Sequence, residues 1–147
     1  MTSPRVVVEV SSTVRRVALR PERVRRLVTS TLDSEGIRDA MVSVAFVGRD
    51  AITRLNRDYL GHDAATDVIS FGMGRDAPGL PAVGDIYVCP EVAARNARRL
   101  GIPPTQELAR LVIHGALHVA GHDHPDDDTR VNSEMWRRQE RLLAHRD

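Results

Sequence analysis

The chain has 147 residues, of which 41% are hydrophobic and 28% charged, with a formal net charge of +1. This composition fits one soluble globular domain, and no internal repeat or interdomain linker appears. Cys89 is the single cysteine, no apolar run approaches about 18 residues, and no signal-peptide core opens the chain. The expectation is a cytoplasmic protein with no intramolecular disulfide and no membrane partner.

Val6 to Val10 is a β-branched run and reads as a first strand. Pro21 suits the first turn of a helix to about Leu32, with Val24, Leu27, Val28, Thr31 and Leu32 inward and Gly36 beyond its end. Met41 to Val47 alternates as a strand does. Asp50 to Leu60 places Ile52, Leu55 and Tyr59 at helical spacing. Val68 to Met73 and Ile86 to Val88 read as strands. Between them, Gly72 to Gly84 holds four glycines and two prolines and reads as a loop.

Pro90 starts a helix to about Leu100, stopped by Gly101. A helix from about Thr105 to Ala120 turns Leu108, Leu111, Val112 and Leu117 inward. A last helix from about Asp128 to Ala144 has Asp126, Asp127 and Asp128 at its positive end, and Trp136 is expected in the core. The order β-α-β-α-β-β-α-α-α predicts an α+β single domain over residues 1–147, a small mixed four-stranded sheet packed on about five helices.

Four of the six histidines fall between His114 and His124. His114 and His118 are four apart, so on a helix they lie about 40° apart on one face, one turn above each other. Gly121 offers a positive φ that ends the helix and lets the chain return His124 as a third ligand. An unbroken helix would instead bring His122 to that face; the glycine favours His124. Three neutral imidazoles with an open fourth position are the donor set of a catalytic zinc, one ion per chain.

The spacing H-x-x-x-H-x-x-G-x-x-H matches the zinc-binding run of the long-motif metalloproteases. There the residue after the first histidine is the glutamate base; here it is Gly115. The chemistry is therefore expected at a bond other than the peptide bond. Cys89 reads as buried rather than ligating. All 21 basic residues are arginine, with one stretch from Arg15 to Arg26 and another from Arg95 to Arg99. Such runs are by default solvated helix faces, although arginine suits phosphate.

Several blocks in order resemble the YbeY-type bacterial rRNA maturation factors, single-strand-specific metallo-endoribonucleases. Leu55-Asn56-Arg57-Asp58-Tyr59 resembles the family's L-N-x-x-Y block, Thr66-Asp67-Val68-Ile69-Ser70-Phe71 its T-D-V-L-S-F strand, and Gly84-Asp85-Ile86 its G-D-I strand. His114 to His118 with Gly121 to His124 resembles its H-G-x-L-H-L-x-G-x-D-H signature. The resemblance spans about residues 40–145. It implies an α+β domain with His114, His118 and His124 on zinc. It also implies hydrolysis of an RNA phosphodiester by zinc-activated water, in processing of small-subunit ribosomal RNA and in ribosome quality control. The implied partners are single-stranded ribosomal RNA and, with it, the ribosome or its assembly factors.

Many family members carry arginine directly after the tyrosine of L-N-x-x-Y; here Leu60 stands there. Arg57, His62, Arg75 and Ser70 are the candidates for contacting phosphate in its place. Thr66 shares the hydroxyl chemistry of Ser70, Asp123 could orient a ligand imidazole or cap the turn, and Asp85 reads as a turn residue or a cleft residue. With 3% aromatic residues, RNA recognition is expected to rest on backbone charge and shape. Two rival readings follow: a zinc-stabilised assembly factor without catalysis, and a metal-dependent hydrolase of another bond.

Overall fold

The computed structural model describes residues 5–74, 80–121 and 134–145. Its elements are β1 (Arg5–Ser12), α1 (Pro21–Ser34), β2 (Asp39–Phe46), α2 (Arg49–Leu60), β3 (Val68–Gly74), β4 (Ala82–Val88), α3 (Pro90–Leu100), α4 (Pro104–Val119) and α5 (Glu134–His145). The strands form one mixed sheet in the order β1-β2-β4-β3. β1, β2 and β4 run parallel, and β3 closes the edge antiparallel to β4. This is the expected α+β class. Among the described residues, no helix is long and apolar enough to cross a membrane.

Alternation decides which face of the sheet is buried. Val8, Ala40, Val42, Val44, Phe46, Ala82, Ile86 and Val88 point to one side, where α1, α4 and α5 complete the main core. The five residues expected inward on α1 are the five that it buries. On the other side a smaller cluster joins Val47, Ile52, Ile69, Cys89 and Val92, with Leu55, Phe71 and Tyr87 packed against it. Cys89 is fully buried, as expected, and free.

The central element is α4. Eleven of its residues are buried, from Glu107 to Val119, so it is covered nearly all round. Apolar residues as large as Leu108, Ile113 and Leu117 each contribute roughly 1.5–3 kcal/mol on full burial.

Two expectations need correction. The run from Gly72 to Gly84 is not all loop: β3 continues to Gly74 and β4 begins at Ala82. Two of its glycines answer to helix packing, because a Cβ on Gly84 would lie 2.5 Å from Val119 Cγ2 and one on Gly72 would lie 3.2 Å from Val119 Cα. They let the sheet approach α4 closely, a common use of glycine inside strands. Tyr59, at helical spacing with Ile52 and Leu55, stands at the end of α2 and is 68% exposed, with its ring against Phe71 on the edge strand. Trp136 is half-buried rather than core, because Met135 and Gln139 take the inner positions of α5. The start expected for α5 at Asp128 lies outside the described residues.

Candidate metal centre

Apart from Thr105 and Gln106 at its start, helix α4 is apolar except for one stripe. Glu107, Arg110, His114 and His118 recur at intervals of three, four and four, so all four lie on one face. The His114 and His118 rings are 4.8 Å apart between centroids and inclined at 73°. The helix stops at Val119, Gly121 takes φ +106°, and its amide donates to the His118 carbonyl at 2.9 Å. The chain thus turns where expected. His124, the expected third ligand, lies outside the described residues, as do His122, Asp123 and Arg75. Among the described residues, no three His, Cys, Asp or Glu side chains gather as a metal cluster.

Helix α5 covers the polar stripe. Gln139, 1% exposed, places Oε1 2.6 Å from Nδ1 of His114. Its amide nitrogen donates to Glu140 at 3.0 Å. Glu140 accepts two hydrogen bonds from Arg110, at 2.9 and 3.0 Å, and Arg110 donates a third to Glu107 at 2.6 Å. The fork geometry suits a guanidinium. Burial pushes the Glu107 carboxyl above its ordinary range, outweighing the pull of Arg110, and the Glu140 contact leads in holding the Arg110 proton. Among the described residues, every buried side-chain nitrogen or oxygen has a partner. A second pair, Arg138 to Glu35 at 2.7 Å, ties α5 to the end of α1.

Sequence reasoning missed Gln139. Its signal was a polar residue four after Met135 on the buried stripe of α5, where binary patterning expects an apolar one.

Gly115 also receives a structural reason. A Cβ there would lie 2.6 Å from Ile86 Cγ2, so the residue after the first histidine faces β4 and has no room for a glutamate. The phosphate-contact candidates separate. Ser70 pairs with Ile86 in the ladder and shares its face of the sheet, the one that carries α4. Arg57 is exposed and paired with Asp58 at 3.2 Å. His62 sits in the turn after α2, held through its amide by the Asn56 carbonyl. Helix α2 packs on the far face of the sheet from α4, through Ile52 and Leu55.

Asp85 is a strand residue, not a turn residue. It points to the far face and accepts from Ser43 at 2.6 Å, which removes it from the histidine side. Thr66 donates to Asp67 at 3.5 Å, and Asp67 accepts from Asn96 at 3.0 Å. From the first arginine stretch, Arg23 and Arg26 line a cleft of about 620 Å³ beside Thr105 and Gln106, at the opposite end of α4 from the histidines.

Comparison with known proteins agrees with this architecture. The family model described as endoribonuclease YbeY matches residues 9–147. A protein named endoribonuclease YbeY from Chlorobium phaeobacteroides is 37% identical over 136 residues, covering 92% of this chain and 94% of its own. Its namesake from Geobacter sulfurreducens is 37% identical over 120 residues, covering 80% of each. The solution structure of TM1509 from Thermotoga maritima superposes with a TM-score of 0.64 at 32% identity, covering 93% of this chain and 87% of that one. The chain belongs to the endoribonuclease YbeY family.

Proposed function

We propose that this protein is a cytoplasmic, zinc-dependent endoribonuclease that cuts single-stranded ribosomal RNA during maturation of the small subunit and in ribosome quality control. The observation that carries the reading is the pair of imidazoles at the end of a buried helix, 4.8 Å apart, in a chain of an endoribonuclease family. The donor chemistry fits. Two histidines one turn apart offer nitrogen donors of the kind zinc takes, and the turn at Gly121 leads directly into the segment that carries His124. His114, His118 and His124 would hold one zinc ion. Bound there, the ion would supply Lewis acidity toward a phosphoryl oxygen and lower the pKa of a bound water.

The remaining work falls to the chain. Burial of α4 holds the imidazoles rigid, so they need not be ordered by substrate. Ser70, on the α4 side of β3, is the hydroxyl best sited to donate to a phosphate. Leu60, half-exposed, leaves a gap in positive charge where many relatives carry arginine.

Zinc content and cleavage of a labelled single-stranded ribosomal RNA fragment test the proposal together, with His118→Ala as control. The expected outcome is about one zinc per chain, with metal and cleavage both lost in a variant whose circular dichroism is unchanged. Zinc bound without cleavage above the variant's background would favour the non-catalytic assembly factor, which the uncharged Leu60 keeps in play. Cleavage undiminished in the variant would sink the metal-centred reading.

A further inference from the structure

The hydrogen-bond chain that ends on His114 has a direction. Glu140 is doubly bonded to Arg110 and, as a carboxylate, can only accept. The group that Gln139 turns toward it at 3.0 Å must therefore be the amide NH₂. A flipped amide would set its oxygen against a carboxylate oxygen and its nitrogen against the ring, so the rotamer is settled by the network. That leaves the amide oxygen facing His114 at 2.6 Å, and an amide oxygen also only accepts. Nδ1 of His114 must be the donor. In the neutral ring the lone pair then belongs to Nε2.

We infer that Gln139 is a positioning residue: it fixes His114 in the Nδ1–H tautomer and presents Nε2 as the metal-binding nitrogen. The inference rests on the zinc reading above for its purpose, and on the hydrogen-bond geometry alone for the tautomer. A donor that can rotate would leave the ring free to choose; an acceptor held from behind does not. The holding is supplied by three elements. Arg110 on α4 grips Glu140 on α5, and Arg138 grips Glu35 at the end of α1, so α5 is fastened on both sides of Gln139. Ligand imidazoles commonly give their second N–H to such an acceptor, which sets ring orientation and raises ligand basicity. Here the acceptor is a neutral amide, with the carboxylate one bond further back.

The test uses proton–nitrogen correlation spectra of the metal-free full chain, which report each histidine's tautomer. Zinc affinity is measured alongside by chelator competition. His114 in the unsubstituted protein is expected as Nδ1–H. In Gln139→Met, which keeps the length and removes the oxygen, the signal should move toward Nε2–H. Zinc affinity should fall about 10–100-fold while circular dichroism holds. Gln139→Glu, which restores an acceptor, should return the Nδ1–H signal and bring affinity back to within a few-fold. Its repulsion with Glu140 would lower Tm without moving the tautomer.

An Nε2–H tautomer in the unsubstituted protein overturns the inference. So does Gln139→Met with both readouts unmoved. If Gln139→Met does not fold, the unsubstituted spectrum and Gln139→Glu decide. A protein that takes up no zinc while His114 keeps its Nδ1–H defeats the metal reading and leaves the positioning role of Gln139 standing.

Discussion

Helices α4 and α2 each carry one of the family's blocks, and they use their residues in opposite ways. α4 is buried over eleven residues and bears its polar groups as a single stripe sealed by α5. α2 buries only Ile52 and Asn56, and leaves Arg57, Asp58, Tyr59 and Leu60 in solvent. Asn56 serves the chain itself, donating to the Ala64 carbonyl at 2.9 Å to hold the turn after the helix. The difference separates two kinds of site residue. On α4 a side chain is placed by packing, and its neighbours cannot change without a cost in stability. On α2 a side chain is placed by solvent exposure, and Leu60, half-exposed, can be replaced at little cost to the fold.

The contrast can be broken in four places. Arg110→Met strikes α4 hardest, since it strands the buried Glu107 and leaves Glu140 without its clamp. Breaking such a pair costs about 3–5 kcal/mol, to be read from urea unfolding. If the loss is below about 1 kcal/mol, the polar seam does not hold α5. Gly84→Ala comes next. The new Cβ would meet Val119 Cγ2 at 2.5 Å and the Phe71 carbonyl oxygen at 2.9 Å, so sheet and helix must part. Overpacking of this kind costs roughly 1–3 kcal/mol and should appear as a lowered Tm.

Glu107→Gln is a smaller and more selective probe. Burial raises the Glu107 carboxyl above its ordinary value, so the folded state holds that proton more firmly than the unfolded chain does. The resulting stabilisation is complete below the ordinary glutamate value and is lost as pH climbs through the raised one. The glutamine variant lacks that loss. Its stability relative to the native chain should improve from acid toward neutral pH and end within about 1 kcal/mol of it, the net worth of one hydrogen bond. A pH-independent difference between the two would show that Glu107 ionises as it does in the unfolded chain. Smallest in stability is Leu60→Arg on α2, expected within about 0.5 kcal/mol of the native chain. Under the proposed function the same change should speed RNA cleavage; an unchanged rate would mean that the charge absent at this position is supplied elsewhere.

Much of the candidate site was legible because helical periodicity is a local property. The four-residue interval between His114 and His118, and the glycine three residues after His118, describe one helix face and its end without reference to anything else. The strands and the mixed character of the sheet followed from alternation and from the sequence of elements, whereas the strand order β1-β2-β4-β3 came only with the structure. Gly72 and Gly84 were misread, since a glycine in a loop and a glycine under a helix look alike until the helix is in place. Gly115 had a chemical reading, the missing protease base, and the structure adds a steric one against Ile86.

By itself, then, the sequence determined the elements, the inward faces of α1 and α4, and the two histidines that share a helical turn. These follow from spacing along one chain segment, where 3.6-residue and two-residue periods operate. Only the tertiary structure decided that Gln139 meets His114 across 25 positions, that Arg110 fastens α5, and that α2 packs on the opposite face of the sheet from the histidine helix. Those pairings depend on how elements dock, and docking is set by the fit of whole buried surfaces rather than by any interval a single segment can display.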